Sequence, residues 1–450
     1  MLTFIMRLLL LILALAAPCE LQYTTGGSTW EHKGHEMRNS AGNGELSSNR
    51  ASAVRAAPEI LRSEDVAATQ LRDTEVALPQ LGPAGRTVHW VIRSTDLLST
   101  LLFSASVLGQ RVLRHEENEA ACPVTCNGHQ HLLQGIQAGP WSKTMVGART
   151  EDEGYALEIT HTYGVGMYPP GQQPSLIELA VVVPDPETSS IAAAELGWAS
   201  IPLPVGDAIL VHGPDMYRYV LLPQRRAQGP TPRVHHVALR VSDLRAAVRF
   251  YTGLLRMTEL PEYSVSAARA IAVVAAGAAF GKPTSYADVV MSSVVGYPSS
   301  QPTLLSDHQV PLVLLDDGAP VKRTDWSGRH AVALPDAAIR AIATQLESGS
   351  SFGGRIVHPL QELQEKLGVL LLLIVADPDG NELCLVSRST FEVEARAATN
   401  FEAPDWKMRK LIEAQISTNL ESGASVLNTT AADSDNFLTT VASELAREEL

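Results

Sequence analysis

The stretch Val234–Met257, VHHVALRVSDLRAAVRFYTGLLRM, decides the fold. Val234 to Val241 is rich in apolar and β-branched residues and reads as a strand. Asp243–Leu254 reads as a helix, because Leu244, Val248 and Tyr251 recur at i, i+4 and i+7 and make one apolar stripe. A Pro-rich joint over Pro223–Pro232 separates this unit from the one before it. The same opening occurs elsewhere. Val88–Arg93 (VHWVIR) is a strand, Asp96 is placed to cap a helix ending near Leu108 and closed by Gly109, and Arg111–Glu116, Trp141–Gly147 and Tyr155–Thr162 are three further strands. Leu176–Val183, a helix over Glu187–Leu196 and short strands to Leu222 make another unit; a last one opens at His330 with AVALPDAAIRAIATQL and ends on Val369–Val386. Four units of strand, helix, strand, strand, strand imply internal duplication in an α+β chain.

Composition bounds the partners. The 450 residues suffice for two or three domains with sizeable cores, and a net charge of −14 with a pI near 5.4 and no Lys/Arg block excludes a nucleic-acid binder. Met1–Pro18 carries one Arg and an apolar run from Leu8 to Ala17, the form of a signal peptide cleaved between Ala17 and Leu21. No membrane segment is then left, and the expected address is the secretory pathway: the endoplasmic reticulum lumen, for which the terminal Arg447-Glu448-Glu449-Leu450 resembles a retention signal, or a plastid of secondary origin. Residues 21–85 lack any sustained period and are expected to be a disordered leader, as are the insert near 277–310 and the tail 417–450; 391–416 reads as a helical extension. Cys122 and Cys126 offer too few ligands for zinc and read as a disulfide or as two ordinary thiols.

In YALEITHTYGVG (Tyr155–Gly166), alternation puts Glu158 and Thr160 on one face and Leu157 and Ile159 on the other. A carboxylate in such a strand is either answered by positive charge, for which a metal ion would serve, or lies on a solvated face.

With these strings in hand the chain resembles the vicinal-oxygen-chelate superfamily, the fold of glyoxalase I: Val234–Met257 is similar to its opening unit and ADPDGNELCLV (Ala376–Val386) to its closing strand. RVLRHEE, the segment Cys122–Gly128, WSKTMVG and EITHTYGVG carry the resemblance into the first unit, and together it spans about Arg86 to Ile412. The resemblance implies two such domains, 86–226 and 233–390, built of paired βαβββ modules that form curled mixed sheets around a cleft. It also implies a divalent metal (Zn or Ni, with Mg as an alternative), glutathione as co-substrate, and isomerisation of a small carbonyl or thiohemiacetal compound, in a monomer or homodimer.

Carried over position by position, His89 and Glu158 match two metal ligands, and Arg93, on the same face as His89, matches an arginine that holds a glutathione carboxylate. Arg329 falls at the third ligand position, so either a slipped register turns His330 inward or that position is empty of protein ligand; at the fourth, Cys384 is a thiolate ligand or Glu382 a base. Thr162 stands where an asparagine contacts glutathione. A second cleft would centre on His236 with only Val313, Leu176 and Val220 as companions, so it is expected to be empty. The competing reading is a non-catalytic binding or scaffold protein. Ring-cleaving dioxygenase chemistry would need two His and one Glu around iron, hence His330 turned inward.

Overall fold

A computed structural model describes residues 85–118, 140–171, 173–224, 233–260, 262–282, 290–297, 309–365 and 367–398, which fall within one compact unit. The expected signal peptide, leader, C-terminal tail and the Cys122/Cys126 pair lie outside the described residues.

Each module has the same element order and the same internal pairing. The first is β1 (Arg86–Ser94), α1 (Leu97–Ser106), β2 (Arg111–Asn118), β3 (Trp141–Gly147) and β4 (Ala156–Thr162). The second is β5 (Leu176–Val183), α2 (Pro186–Glu195), β6 (Ser200–Pro202), β7 (Ile209–His212) and β8 (Arg218–Pro223). The third is β9 (Arg233–Arg240), α3 (Leu244–Arg249), β10 (Thr258–Glu259), an additional helix α4 (Glu262–Ala279), β11 (Met291–Gly296) and β12 (Leu312–Asp316). The fourth is β13 (Arg329–Leu334), α5 (Asp336–Glu347), β14 (Arg355–Glu365), β15 (Gly368–Ala376) and β16 (Glu382–Ser387), followed by α6 (Arg388–Ala398). Asp96, Asp185 and Asp243 accept from backbone N–H groups two or three residues on, which ends the preceding strand turn and starts each helix. The helix expected to run to Leu254 ends as α at Arg249 and continues as a π turn over Phe250–Leu254.

The modules pair out of sequence order. Sheet 1 runs β14-β15-β16-β13-β1-β4-β3-β2 and sheet 2 runs β10-β11-β12-β9-β5-β8-β7-β6. The first and last modules therefore share one sheet and the middle two the other, so each sheet takes half of its strands from each sequence-defined domain. At both centres the opening strands meet antiparallel, β1 with β13 and β5 with β9, while every opening strand runs parallel to the last strand of its own module. The main core lies between the sheets and their helices: Phe103 of α1 meets Tyr219 of β8 with ring centroids 4.9 Å apart, and Tyr251 donates its hydroxyl to Asp377 of the fourth module at 3.1 Å.

The insert corrects an expectation. Strand β11 lies inside the segment read as disordered, and α4 is an alanine-rich helix laid on sheet 2. Ala268, Ala272 and Ala276 lie at helical i, i+4 spacing against Ala238, Val294, Val313 and Leu315, and Ile271 and Ala275 lie against Ala180, Leu210, Val220 and Leu222. Phe280 then enters between the guanidiniums of Arg218 and Arg240, 4.7 and 4.4 Å from its ring centre. Because Ala272 is fully buried in this seam, Ala272→Leu is expected to overpack it and to cost about 1–3 kcal/mol, read as a lower midpoint in denaturant unfolding.

Candidate functional site

In β1, Trp90 and Ile92 enter the main core, which turns His89, Val91 and Arg93 to the opposite face of sheet 1. In β4, Leu157 and Ile159 enter the core and Glu158 and Thr160 share the face of His89. The His89 Nε2 and Glu158 Oε2 atoms are 3.3 Å apart, and the Thr160 hydroxyl donates to Glu158 Oε1 at 3.3 Å. Burial alone would raise the Glu158 pKa, yet His89, Lys143, Arg114 and Arg93 together hold it below the usual carboxylate range. Desolvation pulls the His89 pKa down more strongly than Glu158 lifts it. At neutral pH the pair is therefore a neutral imidazole beside a carboxylate. The other ring nitrogen, Nδ1, is buried and has no hydrogen-bond partner.

The neighbouring charges are mutually braced. Lys143 Nζ sits 2.8 Å from Glu116, and Arg114 grips the buried Glu151 through two bonds of 2.9 and 3.0 Å. Arg93 is held through its backbone: its N–H donates to the Tyr217 hydroxyl at 2.8 Å, which donates to the Trp326 carbonyl at 2.7 Å, and the Tyr217 and Trp326 rings stack at 4.6 Å. Thr162 is buried, hydrogen-bonded to Tyr168.

From the far half of the sheet, Arg329 pairs opposite Val91 and so reaches the same face. Its Nε and Nη2 donate to Glu382 Oε2 at 3.0 and 2.6 Å, while Arg323 Nη1 lies 3.0 Å from Glu382 Oε1. Burial would raise the Glu382 pKa, but Arg329 and Arg323 keep it lowered, which makes this carboxylate a poor proton acceptor. Gly328, just before Arg329, has φ of 75° and would place a Cβ 2.0 Å from the Val91 carbonyl oxygen, so only glycine lets β13 enter this close to β1. Cys384 pairs with Ala331 and packs in the apolar cluster of Val88, Ala331 and Ile374, and burial pushes its thiol up to about 11.

His330 is the clear correction. It pairs opposite Trp90, on the core side, with ring centroids 5.7 Å from Trp90 and 6.0 Å from Tyr155. The register does not slip at Arg329, because the alternation that buries Val332 and Leu334 in the core also turns His330 there. His330 cannot ligate with His89 and Glu158, and the dioxygenase arrangement falls with it.

These placements test the implied metal. A separation of 3.3 Å suits two adjacent ligands, but the third and fourth positions hold a guanidinium locked to Glu382 and a protonated thiol. Among the described residues no three His, Cys, Asp or Glu side chains come together in a way that could hold a metal ion. The donor set does not fit a four-ligand centre.

The second cleft is filled. His236 Nε2 lies 3.1 Å from Glu178 Oε1, both essentially without solvent exposure, and α4 covers the surrounding strand face. Glu178, not Leu176, is the companion of His236, because the register shifts between Leu176 and Glu178.

Residues 233–385 match the model of the Glyoxalase/Bleomycin resistance protein/Dioxygenase superfamily. That segment is a domain of this superfamily's type. Among its relatives, "Glyoxalase domain-containing protein 4" of Mus musculus is 29% identical over 309 residues, 68% of this chain and 86% of the relative. "Glyoxalase 1" of Caenorhabditis elegans is 25% identical over 307 residues, 68% of this chain and 89% of the relative. The crystal structure of glyoxalase I from Zea mays shares the fold, with a TM-score of 0.50 at 17% identity over 70% of this chain and 97% of that one. Sheet 1 carries the charged strand face on which His89, Arg93, Glu158 and Arg329 meet. Arg323, Lys143, Arg114 and Glu151 escaped the sequence reading. Arg323 lies in an aperiodic joint between modules, and the others read as ordinary strand or turn charges.

Both ring nitrogens of His330 are buried without partners, and burial drops its pKa from 6.5 to about 3. A base with a depressed folded pKa stabilises the fold fully above its unfolded value, and that contribution is lost as pH falls from 6.5 toward 3. His330→Leu is expected to gain about 1–3 kcal/mol at pH 7.5, with the gain over wild type growing at pH 5 as read by thermal melts.

Proposed function

We propose that the charged face of sheet 1 receives a small carbonyl compound bearing a carboxylate, the thiohemiacetal of glutathione being its class, for an isomerisation of lactoylglutathione-lyase type. The observation that carries the reading is the His89–Glu158 pair, 3.3 Å apart and flanked by Arg93 and Arg329. In this reading the guanidiniums of Arg93 and Arg329 fix the anionic end of the substrate, which sets the reacting carbons beside Glu158. The ionised Glu158 takes the carbon-bound proton adjacent to the carbonyl and returns it to the neighbouring carbon, while the hydroxyl proton of the first carbon passes to the oxygen of the second; the thioester formed has the same atoms and the same electrons as the thiohemiacetal. The imidazole of His89, 3.3 Å from the carboxylate, orients it.

A second reading is favoured by a specific observation. Lys143, Arg114 and Arg93, three cations, together with His89 hold Glu158 below its ordinary pKa, which weakens it as a base, and Arg329 and Cys384 stand at two of the ligand positions. Those features suit a protein that binds such compounds without turning them over.

Full-length protein assayed for thioester formation from a 2-oxoaldehyde and glutathione, with and without added Ni²⁺ or Zn²⁺ and with bound metal measured, separates the two. Glu158→Gln and His89→Ala are each expected to lower the rate by about 10²–10⁴-fold with the circular dichroism spectrum retained. Unchanged turnover in both variants would end the catalytic reading; absent turnover in wild type with glutathione still bound would establish the second.

A further inference from the structure

The proton transfer proposed for this cleft needs an electrophile. A C–H beside a carbonyl becomes acidic only when the charge that develops on the carbonyl oxygen is met by a cation or a strong donor, and a divalent metal is one way to meet it. Among the described residues His89 and Glu158 come without a third metal-ligating side chain, so the cleft has to meet that charge with its own groups. Lys143 is placed to do so. The strand registers set Glu116, Lys143, Thr160 and Arg93 in one row across β2, β3, β4 and β1, on the face of sheet 1 that carries Glu158. Lys143 is thereby the diagonal neighbour of Glu158, a spacing that a long side chain can span. Its charge acts on Glu158 and His89, and also on Cys384, whose strand lies beyond β4, β1 and β13 from β3. The ammonium is therefore felt across the width of the cleft. Glu116 holds it at 2.8 Å from the outer side and shares its carboxylate with Arg114, while 23% of the lysine side chain stays exposed to an incoming molecule.

Lysine differs from the arginines around it in one respect that matters here. A guanidinium keeps its protons at any working pH, whereas an ammonium can give one up and take it back. We propose that Lys143 is both the electrophile and the proton carrier of this cleft, in the place where a metal ion would otherwise act; this rests on the isomerisation proposed for the same face. As Glu158 takes the hydrogen of the hydroxyl-bearing carbon, the C–H electron pair forms the carbon–carbon double bond. The carbonyl pair moves onto its oxygen, which takes a proton from the Lys143 ammonium. The resulting enediol returns the hydroxyl proton of the first carbon to the lysine amine as the thioester carbonyl forms, and Glu158 gives its proton to the second carbon. Carboxylate and ammonium are restored, and no oxidant or reductant is consumed.

The test uses full-length protein treated with a chelator, its residual metal measured, and assayed with a 2-oxoaldehyde and glutathione. Wild type is expected to keep its rate after chelation. Lys143→Met, similar in length and uncharged, is expected to lower kcat by about 10²–10³-fold while KM stays within about threefold, because the lost interaction is made in the transition state. Glu116→Gln removes only the brace and is expected to lower kcat by less than about tenfold. Two results overturn the proposal and leave the isomerase reading standing: a folded Lys143→Met protein with the wild-type kcat, or a chelated wild type that is inactive until Ni²⁺ or Zn²⁺ is added. Equal losses in Glu116→Gln and Lys143→Met also overturn it, since they mark an ion pair that serves only the strand face. No turnover by wild type with or without metal ends the isomerase reading and the proposal together. Should the circular dichroism spectrum show that Lys143→Met does not fold, Lys143→Gln is read in its place against the same outcomes.

Discussion

The antiparallel contact between β1 and β13 is the constraint on which the site depends. It joins two strands more than two hundred residues apart in the chain and sets Val91 opposite Arg329 and Trp90 opposite His330. Since strand side chains alternate, that single register puts His89, Arg93 and Arg329 on one face and commits His330 to the other. The parallel contacts that flank it, β1 with β4 and β13 with β16, then bring Glu158 and Cys384 onto the same face from either side. One shift of register would exchange the charged face for Trp90, Ile92 and Val332, and both the core and the cleft would be lost.

The two sheets have equal topology, and different side chains set them apart. In sheet 1 the strand face carries Glu158, Lys143, Arg114, Arg329 and Glu382, charges that answer one another in pairs and so are tolerable at low exposure. In sheet 2 the corresponding face is Ala180, Val220, Ala238 and Val313, which is better covered than wetted, and α4 covers it. The surviving His236–Glu178 pair is dry, and burial raises the Glu178 pKa well above its usual range while lowering that of His236 to about 3, so both are neutral. It resembles the ligand pair of sheet 1 in residue type and in its desolvated imidazole, and differs in the carboxylate, whose pKa is lowered in sheet 1 and raised here.

The electrostatics of the live cleft also explain why its ligand positions do not make a metal centre. A guanidinium at the third position needs a carboxylate, and Glu382 supplies it from the adjacent strand. The thiol at the fourth position sits among Val88, Ala331 and Ile374, where an anion would be costly and the proton stays on sulfur. Two substitutions thus convert half of a ligand set into an ion pair and a packing residue.

By itself the sequence determined the module order and the alternation in β4 that separates Glu158 and Thr160 from Leu157 and Ile159, because strand periodicity and helix caps are local and survive without knowledge of neighbours; that His89 and Glu158 share a site was implied by the family resemblance. Only the tertiary structure decided which way His330 points, since an unbroken apolar strand such as RHAVAL has no polar alternation to mark its inner side. The same holds for α4, to which the sequence reading assigned no element: an alanine-rich run carries little hydrophobic contrast until the apolar face it covers is known. Arg323 was invisible for a third reason. A guanidinium in an aperiodic joint acquires its meaning from Glu382, nearly sixty residues further along the chain and brought beside it by the pairing of β13 with β16.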